Sequence, residues 1–143
     1  MKTRRQARAL AVQALFEIDS ANHAPELVLE QRLAEGSLPS TAEAFFQRLV
    51  RGVLEHLPNL DRTIEGLATD WPLEQMAIVD RNILRIAIFE ITVDRQAPVK
   101  VVINEAVELS KLFGSDSSRR FVNGVLGTLV SNLDLAPTDS SKG

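Results

Sequence analysis

The sequence predicts an all-α protein of about seven helices in two small packed helical bundles. Three observations predict it. In segment after segment, apolar residues recur three and four apart, the spacing of one helix face. Prolines punctuate the chain between those segments, and Gly36 and Gly114 stand at two of the helix ends. With six Phe, one Trp and no Tyr, the interior must be filled by Leu, Ala, Val and Ile, which suits packed helices. No segment alternates convincingly as a strand does. At 143 residues the chain is long enough for one domain with a core of its own.

The elements follow in order. Thr3 can cap a first helix to about Ser20, with Ala7, Leu10, Ala11, Ala14, Leu15 and Ile18 as its core stripe. Pro25 opens a second helix near 26–35, which Gly36 ends. Ser40 or Thr41 starts a third, carrying Ala42, Phe45, Phe46, Leu49, Val53 and Leu57, with a break expected at Pro58. Leu60, Ile64 and Leu67 mark a short fourth. Trp71-Pro72 is a boundary, because a residue before proline is pushed out of helical geometry. Residues 76–93 are apolar on most sides, the mark of a central buried helix. After a connector at 95–98, a helix covers about 99–113, with Gly114 at its C-terminal end. Asp116 or Ser117 caps a last helix to about Leu133. Residues 1–133 thus form one domain, with subdomains about 1–71 and 72–133, and 134–143 are expected to be a flexible tail.

Net charge is -3, yet Lys2, Arg4, Arg5 and Arg8 precede the first acidic residue, Glu17. On a helix, Arg4, Arg5 and Arg8 fall within one 100° arc beside the core stripe, and Val12 and Phe16 continue that flank. Guanidinium groups so placed suit the capture of phosphates, since their planar fork bonds phosphate bidentately. A solvated helix start is the plainer alternative. Arg119 and Arg120 precede Phe121, a pattern open to two readings: a platform for stacking bases, or a core aromatic. Asn123 lies one turn beyond Arg119. Gly124 and Gly127 interrupt the same helix and are expected where another helix approaches closely. Glu105 and Glu108 project together and read first as a solvated face; Glu108 can pair with Lys111, and Glu105 is the candidate for partner contact. Arg81 and Arg85 either close internal salt bridges or face a partner.

The chain has no Cys, and His23 and His56 are isolated. No HExxH, Walker loop, GxGxxG or GxSxG is present, so neither an enzyme, a cofactor nor a metal site is expected. With no secretory h-region and no apolar run of about 20 residues, neither export nor a membrane span is expected, and the location read is cytoplasmic.

Four blocks carry a resemblance: RRQARALAVQALF (4–16), DRNILRIAIFEI (80–91), PVKVVINEAVELSKLFG (98–114) and FVNGVLG (121–127). In this order and spacing they resemble the NusB family of bacterial transcription antitermination factors. The resemblance implies an all-helical fold of two subdomains. It implies binding of the boxA element of nascent ribosomal RNA together with the ribosomal protein NusE, in a complex with NusA, NusG and RNA polymerase. Carried onto this sequence, it makes Arg4, Arg5 and Arg8, with Lys2 and Gln13, the RNA surface of the first helix. Phe121 matches a position that meets RNA, and Asp80 one that meets the basic ribosomal partner. An acidic family position that influences RNA affinity falls here on Ser117. About four cations on single-stranded phosphates give log affinity a slope of roughly -3 against log salt. Two rivals remain: the RNA-binding front of a NusB-like ribosomal RNA methyltransferase, for whose catalytic domain this chain is too short, and a protein-protein module without RNA. Some family members are homodimers that hide the RNA surface, and Phe16 could support that.

Overall fold

The computed structural model describes residues 2–134; the side chains of Lys2 and Asp134 lie outside the described residues, as does the tail expected at 134–143 apart from Asp134, whose backbone belongs to the last helix. Seven α-helices follow one another: α1 (Lys2–Ala21), α2 (Pro25–Ala34), α3 (Ser40–Glu55), α4 (Leu57–Leu67), α5 (Ile78–Phe89), α6 (Val99–Phe113) and α7 (Ser118–Asp134). A single 3₁₀ turn, Leu73–Gln75, leads into α5, and a π turn, Glu90–Asp94, extends it. No strand occurs among the described residues, and the all-α expectation is borne out.

Proline and glycine act largely as the sequence suggests. Pro25 occupies the first turn of α2, where its missing N–H has no helical partner to lose. Gly36 ends that helix at φ 68°, a left-handed geometry that suits glycine. Pro58 does less than expected. It sits in the first turn of α4, so only His56 separates α3 from α4. Trp71-Pro72 forms the predicted boundary, ahead of the 3₁₀ turn.

Helix α5 is the axis of the molecule. It packs against α1, α3, α4, α6 and α7, which explains why its sequence is apolar on most sides. Ile83, Leu84, Ile86 and Ile88 are almost fully shut from water, each gaining about 1.5–3 kcal/mol from burial. The buried residues of both halves of the chain form one hydrophobic core across α5. Gly52 on α3 is where a close approach does occur: a Cβ there would overlap the Phe89 ring. Gly124 and Gly127 correct the expectation placed on them. Both are exposed, and a Cβ on either meets open space.

Between the helices runs a polar network. Asp19 of α1 accepts hydrogen bonds from Arg81 Nε and Nη2 at 2.8 Å each, from Arg85 Nη1 at 2.9 Å and from Asn82 Nδ2 at 3.0 Å. Arg85 reaches on to Asp61 of α4 with two bonds of 2.8 and 3.0 Å. Arg81 and Arg85 thus close internal salt bridges, tying α1, α4 and α5 together. The Arg81 hydrogen bonds lead in holding the Asp19 carboxyl down at about 2, against the opposing effect of burial.

Candidate nucleic-acid interface

Helix α1 determines what becomes of the N-terminal arginines. It packs against both α3 and α5, so its buried arc is wider than the predicted stripe. Arg8 and Val12 fall inside that arc, at 3% and 1% exposure. Arg8 therefore does not lie on an open flank. Its guanidinium bonds Glu90 bidentately, Nε to Oε2 at 2.7 Å and Nη2 to Oε1 at 2.9 Å. This corrects the expectation that Arg8 offers an RNA contact. The π turn begins at Glu90, on the buried side of α5.

Arg4 is half-buried, with its guanidinium 4.2 Å from the centroid of the Phe45 ring. Arg8 and Arg48 lie on the same ring at 5.2 and 5.0 Å, and Arg48 is held by Asp94 at 2.9 Å. Phe45, read from sequence only as core, is the aromatic anchor of three cations.

Arg5 points outward, and its side chain is 58% exposed. It donates to Glu105 of α6 through Nε at 3.0 Å and Nη2 at 2.7 Å. Arg8 Nη1 lies 4.0 Å from the same carboxylate. The Arg5 hydrogen bonds lead in holding Glu105 below the usual carboxylate range, despite partial burial. Glu105, expected to meet a partner, is thus engaged within the chain. Glu108 pairs with Lys111 at 3.1 Å, as its spacing suggests.

The start of α7 brings the second basic group to the first. Arg5, Asn104, Glu108, Arg119, Arg120 and Asn123 line one open groove of about 540 Å³. More than a hundred residues separate Arg5 from Arg119, and the packing of α1, α6 and α7 unites them. Arg119, Arg120 and Asn123 are exposed, and neither arginine has a salt-bridge partner among the described residues. Phe121 satisfies both of its sequence readings in part: it packs against the core and stays half-exposed.

Beyond Arg120 the surface opens into a cleft of about 400 Å³, lined by Trp71, Met76, Asp80, Ser117, Arg120 and Phe121. Asp80, expected to meet the basic ribosomal partner, is only 7% exposed and reaches the surface as part of the wall of this cleft. Its Oδ1 accepts no hydrogen bond. Burial pushes its pKa up, opposed by the Ser118 hydroxyl.

Phe16 is exposed on the outer side of α1, at 39%. It lines a separate hollow of about 480 Å³ with Gln13, Glu17, Arg32, Val79 and Phe113. Gln13, expected at the RNA surface, lies here instead. It is half-buried and accepts from Arg32 at 3.4 Å.

Sequence reasoning missed Glu90 and Phe45 as the buried supports beneath this surface, and Trp71 as part of it. A lone acid inside the apolar run IAIFEI signals a buried ion pair, since an unpaired buried charge is too costly to keep. Nothing local identifies Arg8 as its partner.

Fold and site define a class: an all-α domain around one buried helix, with an exposed cationic groove running into an aromatic-lined cleft. The family model described as the NusB family matches residues 5–131, and the chain belongs to that family. It is 55% identical over 130 residues to the transcription antitermination protein NusB of Roseiflexus sp. (strain RS-1), a match covering 90% of this chain and 92% of the relative. Among solved structures, T. maritima NusB matches with a TM-score of 0.84 at 32% identity, covering 98% of this chain and 97% of that one. A structure of the antitermination factors NusB and NusE in complex with dsRNA shares the fold, with a TM-score of 0.84 at 24% identity over 92% and 98% of the two chains. The resemblance of the four sequence blocks thus holds across the chain.

Proposed function

We propose that this protein is an RNA-binding transcription antitermination factor. In this reading it binds boxA of nascent ribosomal RNA together with NusE, in a cytoplasmic complex that includes NusA, NusG and RNA polymerase. One observation carries the reading: the groove that gathers Arg5, Arg119, Arg120 and Asn123, with Phe121 in the adjoining cleft that shares Arg120. Exposed guanidinium groups bind phosphates along a flexible strand, and a half-exposed aromatic stacks a base. The related NusB seen with NusE and dsRNA supports the same role.

Arg5 and the α7 arginines are the phosphate contacts in this proposal. Arg4 contributes its charge from the Phe45 ring, and Arg8 contributes rigidity. The hollow beside Phe16 is the proposed seat of NusE, because it pairs an exposed aromatic with Glu17. A second copy of the chain would compete for the same hollow, giving the homodimer. The reading is non-enzymatic: the Glu105 carboxylate is held by Arg5 and its pKa lowered, whereas a general acid at neutral pH needs it raised.

The test is an RNA mobility shift with boxA and with scrambled RNA, with and without NusE. Retention of boxA over the scrambled sequence, strengthened by NusE, is the expected result. Equal retention of both RNAs, or none of either, contradicts the assignment.

A further inference from the structure

The cleft beside the groove has a feature that phosphate capture does not use. Asp80 stands in its wall, nine-tenths buried, with one oxygen lacking any donor. A buried acceptor left unmatched costs stability, so its persistence in the fold calls for an explanation. As the third residue of α5, Asp80 gains something from the positive end of the helix. That gain accounts for an acidic residue in the first turn, but not for the withdrawal of Oδ1 from water without a donor of its own.

The walls narrow what could supply the donor. Trp71, 53% exposed, and half-exposed Phe121 both line the cleft, offering two aromatic surfaces to one flat guest. The thioether of Met76 lies between them in sequence and lines the same cleft. Arg120 belongs both to this cleft and to the cationic groove, so the two are continuous. A lysine or arginine from a protein would satisfy Asp80 but would meet Arg120 as a like charge. A nucleotide suits both ends, with its base toward the carboxylate and its phosphate toward Arg120. The torsion that orients a carboxyl is soft, so either oxygen can turn toward a donor in the cleft.

We infer that this cleft is a nucleobase pocket, in which Asp80 accepts a hydrogen bond from a base amino group while Trp71 and Phe121 hold the ring. The inference rests on the RNA-binding reading above and makes it sequence-selective. Adenine, cytosine and guanine carry an exocyclic amino group; uracil does not. Carboxylates read cytosine and its kind by accepting from that group. Amino-bearing bases therefore enter the cleft in preference to uracil.

Trp71 is the only tryptophan in the chain, so its fluorescence reports on the surface around this cleft without a second emitter. Six-nucleotide oligo(C), oligo(A) and oligo(U) are titrated into the protein, with emission and gel mobility followed together. Oligo(C) and oligo(A) are expected to change Trp71 emission saturably and to bind about tenfold more tightly than oligo(U). Asp80→Ala and Asp80→Val, both checked for an unchanged helical spectrum, are expected to lose that preference while still binding oligo(U). Equal binding of all three oligonucleotides by the unaltered protein overturns the pocket and leaves the RNA reading standing. Binding of none overturns both. A Trp71 response to a lysine-rich peptide but not to oligonucleotides overturns the pocket and makes the cleft a protein site.

Discussion

Arg8 and Glu90 form a bidentate ion pair inside the protein, at 2.7 and 2.9 Å, with side chains 4% and 1% exposed. The pair joins α1 to the π turn that follows α5. It turns one member of a basic cluster into a structural tie, while its neighbour Arg5 remains outside. Removing either partner strands a buried charge, which costs about 3–5 kcal/mol. Glu90→Ala is expected to lower stability by that amount in urea unfolding. The double change Arg8→Met with Glu90→Leu is expected to recover most of it and to leave RNA affinity unaltered. A double variant with normal stability and lost RNA binding would return Arg8 to the RNA surface.

Glu105 competes with phosphate for Arg5. Both donors of Arg5 that face α6 are taken by its carboxylate, so RNA must displace or share them. Glu105→Gln keeps the shape and removes the charge. RNA affinity at low salt is expected to rise by roughly two- to five-fold, in keeping with the small worth of an exposed ion pair. Arg5→Ala is expected to move affinity the other way. Fluorescence anisotropy with labelled RNA reads both, and a weaker Glu105→Gln complex contradicts the competition.

Acid acts on the Asp19 network. The folded Asp19 carboxyl, bonded by Arg81, Asn82 and Arg85, titrates at about 2, below its ordinary 3.8. A carboxyl depressed by folding stabilises fully above its ordinary pKa and loses that contribution as pH falls through the folded value. Stability is therefore expected to decline between about pH 4 and pH 2. Asp19→Asn, less stable at neutral pH, is expected to show a flatter acid limb in thermal melts. Parallel limbs for the two proteins contradict this.

Two glycines give opposite outcomes. Gly52→Ala forces a methyl into the Phe89 ring, and overpacking of this kind costs about 1–3 kcal/mol. Gly124→Ala meets open space in α7 and is expected to stabilise by up to about 1 kcal/mol. Differential scanning calorimetry of the two variants checks the signs.

These outcomes mark where the sequence speaks and where it stops. The seven helices were legible because each carries its own periodicity and its own proline or glycine boundary. Helix α5 declared its central place by lacking a polar face. The groove was legible in its parts, since Arg5, Arg119 and Arg120 stand in basic runs, but their union depends on the packing of α1, α6 and α7. Arg8 misled because its angle on α1 differs little from that of Arg4. Which of them turns inward depends on how much of α1 its neighbours cover, a non-local fact. Gly52 and Gly124 differ in the same way: a glycine in a helix does not state which neighbour, if any, needs the space.

The central claim is that guanidinium groups of α1 and α7 form one phosphate-binding groove. Binding of boxA RNA across a salt series measures it most directly, comparing the protein with Arg119→Glu/Arg120→Glu. Three groove cations give a slope near -2 in log affinity against log salt, and the double reversal should flatten it to about -0.7 and weaken binding more than tenfold, with the melting temperature unchanged. An unchanged slope and affinity in the reversed protein would contradict the claim.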